Sequence, residues 1–115
     1  MKPILHNLFK VPLAASFAGL RDCHCHILPG VDDGFRTMES SLSALEEYER
    51  SGVASVCLTP HIMEDMPNAT ADLREIFESL KKEYRGHMQL HLASENMMDF
   101  LFGQRLEAGD LLTLP

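Results

Sequence analysis

Val53-Ala54-Ser55-Val56-Cys57-Leu58, followed at once by Thr59-Pro60-His61, is the stretch on which the fold turns. Six small or apolar residues with no charge read as a strand covered on both faces, as parallel strands are. Proline then ends the ladder, because it has no N–H to give, and a histidine follows it. Upstream, residues 37–51 carry Met38, Leu42, Leu45 and Tyr48 at helical spacing, with Thr37 placed to cap and Gly52 placed to stop. Downstream, residues 70–84 repeat that pattern with Leu73, Ile76, Phe77 and Leu80, and Gly86 ends it.

The neighbouring segments extend the alternation. Residues 19–26 read as a first strand, 27–36 as a loop rich in turn formers, and 59–68 as a second loop. Residues 88–93 read as a third strand, 98–107 as a short helix ended near Gly109, and 111–114 as the opening of a fourth strand. The order β-α-β-α-β-α-(β) predicts an α/β fold with a parallel sheet and right-handed crossovers. Residues 1–18 read as an N-terminal arm and 19–115 as the domain. In the arm Pro3, Asn7, Lys10 and Pro12 break the apolar run that a secretory leader needs.

Composition narrows the class. The chain has 115 residues, too few for a closed eight-unit α/β barrel of about 200 or more. Hydrophobic residues are 45% and charged residues 23%, an ordinary globular balance. A formal charge of −7 argues against nucleic acid as a partner. No stretch approaches the roughly 20 apolar residues of a membrane span. Cys23, Cys25 and Cys57 are odd in number and without repeated spacing. Reduced thiols and a cytoplasmic setting are therefore expected.

In parallel folds the chemistry collects at the carboxyl ends of strands. Strand one ends on His24 and His26, strand two on His61, and strand three on Glu95. Residues two apart on a strand share a face, so His24 and His26 can serve one metal ion or an adjacent pair. By the same parity Cys23 and Cys25 point away from them and read as small buried residues. One carboxylate of Asp32-Asp33 can reach a metal or orient a ligand histidine. Glu95 can bridge two ions. His87 and His91 read as non-ligands. Nucleophilic and nucleotide chemistry lacks its motifs: there is no G-x-S-x-G, Walker loop or G-x-G-x-x-G.

The string Arg21-Asp22-Cys23-His24-Cys25-His26-Ile27-Leu28-Pro29-Gly30-Val31-Asp32-Asp33-Gly34 resembles the opening of the PHP-domain (polymerase and histidinol phosphatase) family. Within it, the resemblance is to bacterial capsule-type, manganese-dependent protein-tyrosine phosphatases. Thr59-Pro60-His61-Ile62-Met63 is similar to that branch's second motif, and Ala93-Ser94-Glu95-Asn96-Met97-Met98-Asp99 to its third.

The resemblance implies the N-terminal portion of a distorted (β/α)7 barrel. It also implies a site for two or three ions, Mn²⁺ first and Zn²⁺ or Fe as alternatives. Carried over, the metal ligands are His24, His26, Asp33, His61 and Glu95, with Asp32 the lesser of the acidic pair. The implied substrate is a phosphotyrosine protein such as a polysaccharide-assembly tyrosine kinase, in capsule or exopolysaccharide regulation. The family pattern continues with a further glutamate, a histidine, a D-x-H pair and arginines, and this sequence has no histidine after His91. The chain is thus expected to be a truncated, incomplete barrel, inactive alone and with an open sheet edge suited to self-association. The alternatives are a non-catalytic metal-binding or interaction remnant, and another PHP hydrolase such as histidinol phosphatase.

Overall fold

The computed structural model describes residues 17–115; residues 1–16, most of the arm, lie outside the described residues. Five short strands and three helices follow in the order β1 (Arg21–Asp22), α1 (Met38–Arg50), β2 (Ser55–Leu58), β3 (His61–Ile62), α2 (Thr70–Glu83), β4 (Gln89–Leu92), β5 (Glu95–Asn96) and α3 (Phe100–Ala108). All pairings between them are parallel. One sheet runs β1-β2-β4 and a second pairs β3 with β5. The fold is α/β as expected, and the described residues form no closed barrel.

The two sheets share one continuous register. Arg21 faces Ser55, Ser55 faces Gln89 and His61 faces Glu95, each partner 34 positions further along the chain. The register persists across the gap at Thr59-Pro60: Ala93 N–H donates to Leu58 O at 2.9 Å and Glu95 N–H to Pro60 O at 2.9 Å. Pro60 has no N–H to return, so the ladder is interrupted there and resumes one residue later. Of this second sheet, β3 falls within the stretch 59–68 that the sequence reads as loop, and β5 lies just beyond the third strand expected over 88–93.

Sequence chemistry accounts for the helix ends. Thr37 Oγ1 accepts Ser40 N–H at 3.1 Å, capping α1, and Glu39 and Arg50 suit the two ends of its dipole. Asp99 accepts Phe102 N–H at 3.0 Å, capping α3, and Gly109 closes that helix at φ 70°. Leu45 from α1 and Leu73, Phe77 and Leu80 from α2 pack over Val56 and Leu58 of β2 in one apolar cluster. Complete burial of a leucine side chain contributes about 1.5–3 kcal/mol, so these helices are held by their apolar faces more than by propensity.

Two expectations need correcting. The first strand spans only Arg21–Asp22, not 19–26, because the chain leaves the ladder once Asp22 turns its carboxylate back on His24 N–H (3.0 Å) and on Tyr48 OH (2.8 Å). Strand parity therefore fails beyond it: Cys25 joins the core, while Cys23 is exposed. Residues 111–114 form no strand, since no partner strand runs beside them among the described residues. No described helix is long and apolar enough to cross a membrane.

Candidate metal centre

Three chain segments meet where the ladder resumes beyond Pro60. The first follows β1. Thr59 N–H donates to Cys25 O at 2.9 Å, and Cys25 N–H donates to Thr59 Oγ1 at 3.1 Å, which pins the segment between His24 and His26 to β2. The second is β3, carrying His61. The third is β5, where Glu95 stands in register beside His61.

The side chains converge on Glu95 Oε1. His26 Nε2 lies 3.0 Å from it, His24 Nε2 3.3 Å and His61 Nδ1 3.5 Å. His24 Nε2 and His26 Nε2 are 3.3 Å apart. The rings of His26 and His61 stack with centroids 4.5 Å apart. On the far side, Asp33 Oδ1 is 3.7 Å from His61 Nε2. Of the five sequence-read ligands, the structure gathers His24, His26 and Glu95 in one group and His26, Asp33 and His61 with Asp32 in another.

Asp32 does something different from Asp33. Its side chain is fully buried, and its oxygens accept His26 Nδ1–H at 2.9 Å, Gly34 N–H at 2.9 Å and His61 N–H at 3.1 Å. Burial alone would raise this carboxyl. The hydrogen bond from His26 and the two backbone amides outweigh burial and hold it below the usual carboxylate range. An ionised Asp32 fixes the proton of His26 on Nδ1 and leaves the Nε2 lone pair facing Glu95. Asp33 is 73% exposed and makes no comparable set of bonds.

Three further residues position the site. Thr59 Oγ1 lies 3.2 Å from His24 Nδ1. Asn68 Nδ2 donates to Val31 O and to His61 O, each at 2.9 Å, joining the Asp32 loop to the residue after Pro60. Arg105 from α3 donates to Asn68 O at 2.6 Å. Sequence reading missed Thr59 and Asn68 because a lone hydroxyl or amide in a loop carries no periodic or motif signal. Gly34 packs so closely that a Cβ there would stand 2.3 Å from His26 O.

The residues present fit a divalent cation. The Glu95 side chain is 41% exposed, yet its Oε1 atom is sealed from solvent and accepts no hydrogen bond, although three ring nitrogens surround it. A buried carboxylate oxygen without a donor is costly. A cation shared by these lone pairs removes that cost. Mixed imidazole and carboxylate donors suit Mn, Zn or Fe.

The family model described as "Capsular polysaccharide synthesis, CpsB/CapC" matches residues 20–115. The chain belongs to this family. Relatives named tyrosine-protein phosphatase are similar over part of the chain. CpsB of Streptococcus agalactiae is 42% identical over 52 residues, 45% of this chain and 21% of the relative. YwqE of Bacillus subtilis (strain 168) is 36% identical over 62 residues, 53% of this chain and 24% of the relative. The matched stretches thus cover less than a quarter of the length of these curated relatives.

Proposed function

We propose that this chain supplies one wall of a metal centre in a capsule-type tyrosine phosphatase, with His24, His26, Asp33, His61 and Glu95 as ligands. The observation that carries the reading is the sealed, donor-free Glu95 Oε1 at the meeting point of three imidazoles. The family match and the named phosphatase relatives support it. Mn²⁺ is the proposed ion, and a phosphotyrosine protein, a polysaccharide-assembly kinase among them, the proposed substrate. Bound here, such ions supply Lewis acidity toward a phosphoryl oxygen and make water a nucleophile near neutral pH. The chain's own part is to orient. Asp32 holds His26, Thr59 lies against His24, Asn68 holds the His61 backbone, and the β3–β5 register sets Glu95 beside His61. The proposed PHP barrel needs further strands to close around this wall, so the five ligands are half a site.

The test compares wild type with a His24→Ala/His26→Ala variant after Mn²⁺ loading and desalting. The wild type retains metal by elemental analysis and the variant loses it; equal metal in both refutes the ligand assignment. Hydrolysis of p-nitrophenyl phosphate by the wild-type chain with Mn²⁺ stays at background. Robust turnover that disappears with His61→Ala would show that this wall suffices, against the half-site reading.

A further inference from the structure

We infer that Ser41 and Tyr48 are positioning residues of the metal centre proposed above, on which this role rests: two hydroxyls of α1 hold the two ends of the segment that carries His24 and His26. Tyr48 OH donates to Asp22 Oδ2 at 2.8 Å, and Asp22 Oδ1 accepts the His24 N–H at 3.0 Å. Ser41 Oγ donates to Ile27 O at 2.5 Å, on the residue after His26. Ser41, Leu45 and Tyr48 follow one another at i, i+4 and i+7, so they share one face of α1 and span about 10.5 Å of its axis. Leu45, between the two hydroxyls, is fully buried in the core cluster. The face that packs the helix onto the core therefore also grips the metal-binding segment.

The segment needs this grip because its own strand does not supply it. β1 ends at Asp22, before either histidine. Cys25, in the middle, is tied to Thr59 by bonds of 2.9 and 3.1 Å. A tie at the middle alone leaves the backbone on either side free to pivot, and the two histidines stand on those two sides. Asp22 fixes the first side and Ile27 O the second. Ser41 is fully buried, and Ile27 beside it is buried too. Alanine there would be better for helix propensity, and a buried hydroxyl is costly unless it is paired. Serine within a helix often returns its hydroxyl to the carbonyl four residues earlier; Ser41 instead reaches across to the loop. Burial, then the bond to Asp22, pushes the Tyr48 phenol above its ordinary value of 10.0, so it keeps the proton that it donates. Thr37 caps α1, so neither hydroxyl serves the helix's own ends.

Cobalt titration of the whole chain tests this, because the visible d–d bands of Co²⁺ report the number and geometry of its ligands. Tyr48→Phe and Ser41→Ala should each weaken Co²⁺ binding about tenfold and alter the bands. Leu42→Ala is the stability control: Leu42 packs against the core from the same helix without bonding the segment. It should lower the urea midpoint more than either hydroxyl variant and keep the wild-type bands, with affinity within about twofold. Asp22→Asn should rescue, since its amide oxygen still accepts the His24 N–H and its NH₂ can donate to the Tyr48 oxygen. Asp22→Ala loses both contacts and should bind as weakly as Tyr48→Phe. Wild-type affinity and bands in both hydroxyl variants, or losses no larger than that of Leu42→Ala, overturn the inference while leaving the metal centre standing. Asp22→Asn binding as weakly as Asp22→Ala assigns the effect to charge and overturns the part played by Tyr48. Absence of Co²⁺ binding by the wild type, or equal binding by His24→Ala/His26→Ala, overturns the metal centre and this inference with it.

Discussion

Replacing Asp32 by asparagine separates a positioning carboxylate from a ligand. The wild-type side chain, fully buried, takes three hydrogen bonds: from His26 Nδ1, from Gly34 N and from His61 N, at 2.9, 2.9 and 3.1 Å. Asparagine has the same shape but one acceptor oxygen. Its best orientation keeps that oxygen on His26 and His61 and turns its NH₂ toward the Gly34 amide, donor against donor. Leaving that buried amide unpaired costs about 1–3 kcal/mol, and the bonds that remain lose their charge assistance, about 1 kcal/mol each. Relief from burying a charge offsets part of this, so the expected loss is about 2–3 kcal/mol. Urea unfolding followed by far-ultraviolet circular dichroism measures it. With His26 no longer held in one tautomer, Mn²⁺ affinity by titration calorimetry should fall about 10–100-fold. Asp33→Asn is the control. That side chain is 73% exposed, so stability should change by no more than about 0.5 kcal/mol while Mn²⁺ affinity falls. Equal stability and affinity within twofold for Asp32→Asn would refute the positioning role.

Gly34→Ala should disrupt the same corner sterically. The new Cβ would stand 2.3 Å from His26 O and 2.7 Å from His26 Cβ, so the loop must shift and release the Asp32–Gly34 bond. A lowered urea midpoint together with weakened Mn²⁺ binding is expected, and parental values in both would show that the close approach is not needed. Tyr84→Phe tests the tie between the ends of α1 and α2. Tyr84 OH donates to Glu49, which also accepts His87 N–H at 3.0 and 3.1 Å. Burial, then the bond to Glu49, pushes Tyr84 up to about 12, and the bond from Tyr84 holds Glu49 below its ordinary value of 4.5. A raised acid is stabilising below its unfolded value of 10.0 and loses that contribution as pH climbs toward 12. A depressed carboxylate is stabilising above 4.5 and loses it in more acid solution. The wild-type advantage over Tyr84→Phe should thus be flat between these limits and shrink beyond both. A difference that ignores pH would exclude this bond as its source.

The helices were legible because their signals are local and redundant. Thr37, Leu45 and Gly52 each mark α1 independently, and the reading over 37–51 differs from Met38–Arg50 by one residue at each end. The reading over 70–84 meets Thr70–Glu83 almost as closely, and the buried run at 53–58 contains Ser55–Leu58. The first strand was over-read. Gly19 to His26 has strand-like composition, but its ladder stops where Asp22 bonds to the amide of His24, a competition between side chain and sheet that composition does not show. The division of labour between Asp32 and Asp33 was equally hidden. The two are chemically identical in sequence, and only the path of the loop decides which is enclosed beneath His26 and which faces water.

The second sheet explains why three histidines and a glutamate could be read as convergent while their arrangement could not. Each of β3 and β5 has two residues, too few to express a period, and a proline precedes one of them. What places them is the 34-residue register inherited from β2 and β4, whose apolar residues are packed beneath the helices. Once Leu58 is fixed opposite Leu92, three more residues on each strand bring His61 opposite Glu95. The core therefore sets the spacing of the metal donors through backbone hydrogen bonds that cross Pro60, and no donor needs to specify its own position. A substitution in β2 that slipped this register by one residue would turn Glu95 to the other face of its strand and dismantle the centre without touching a ligand.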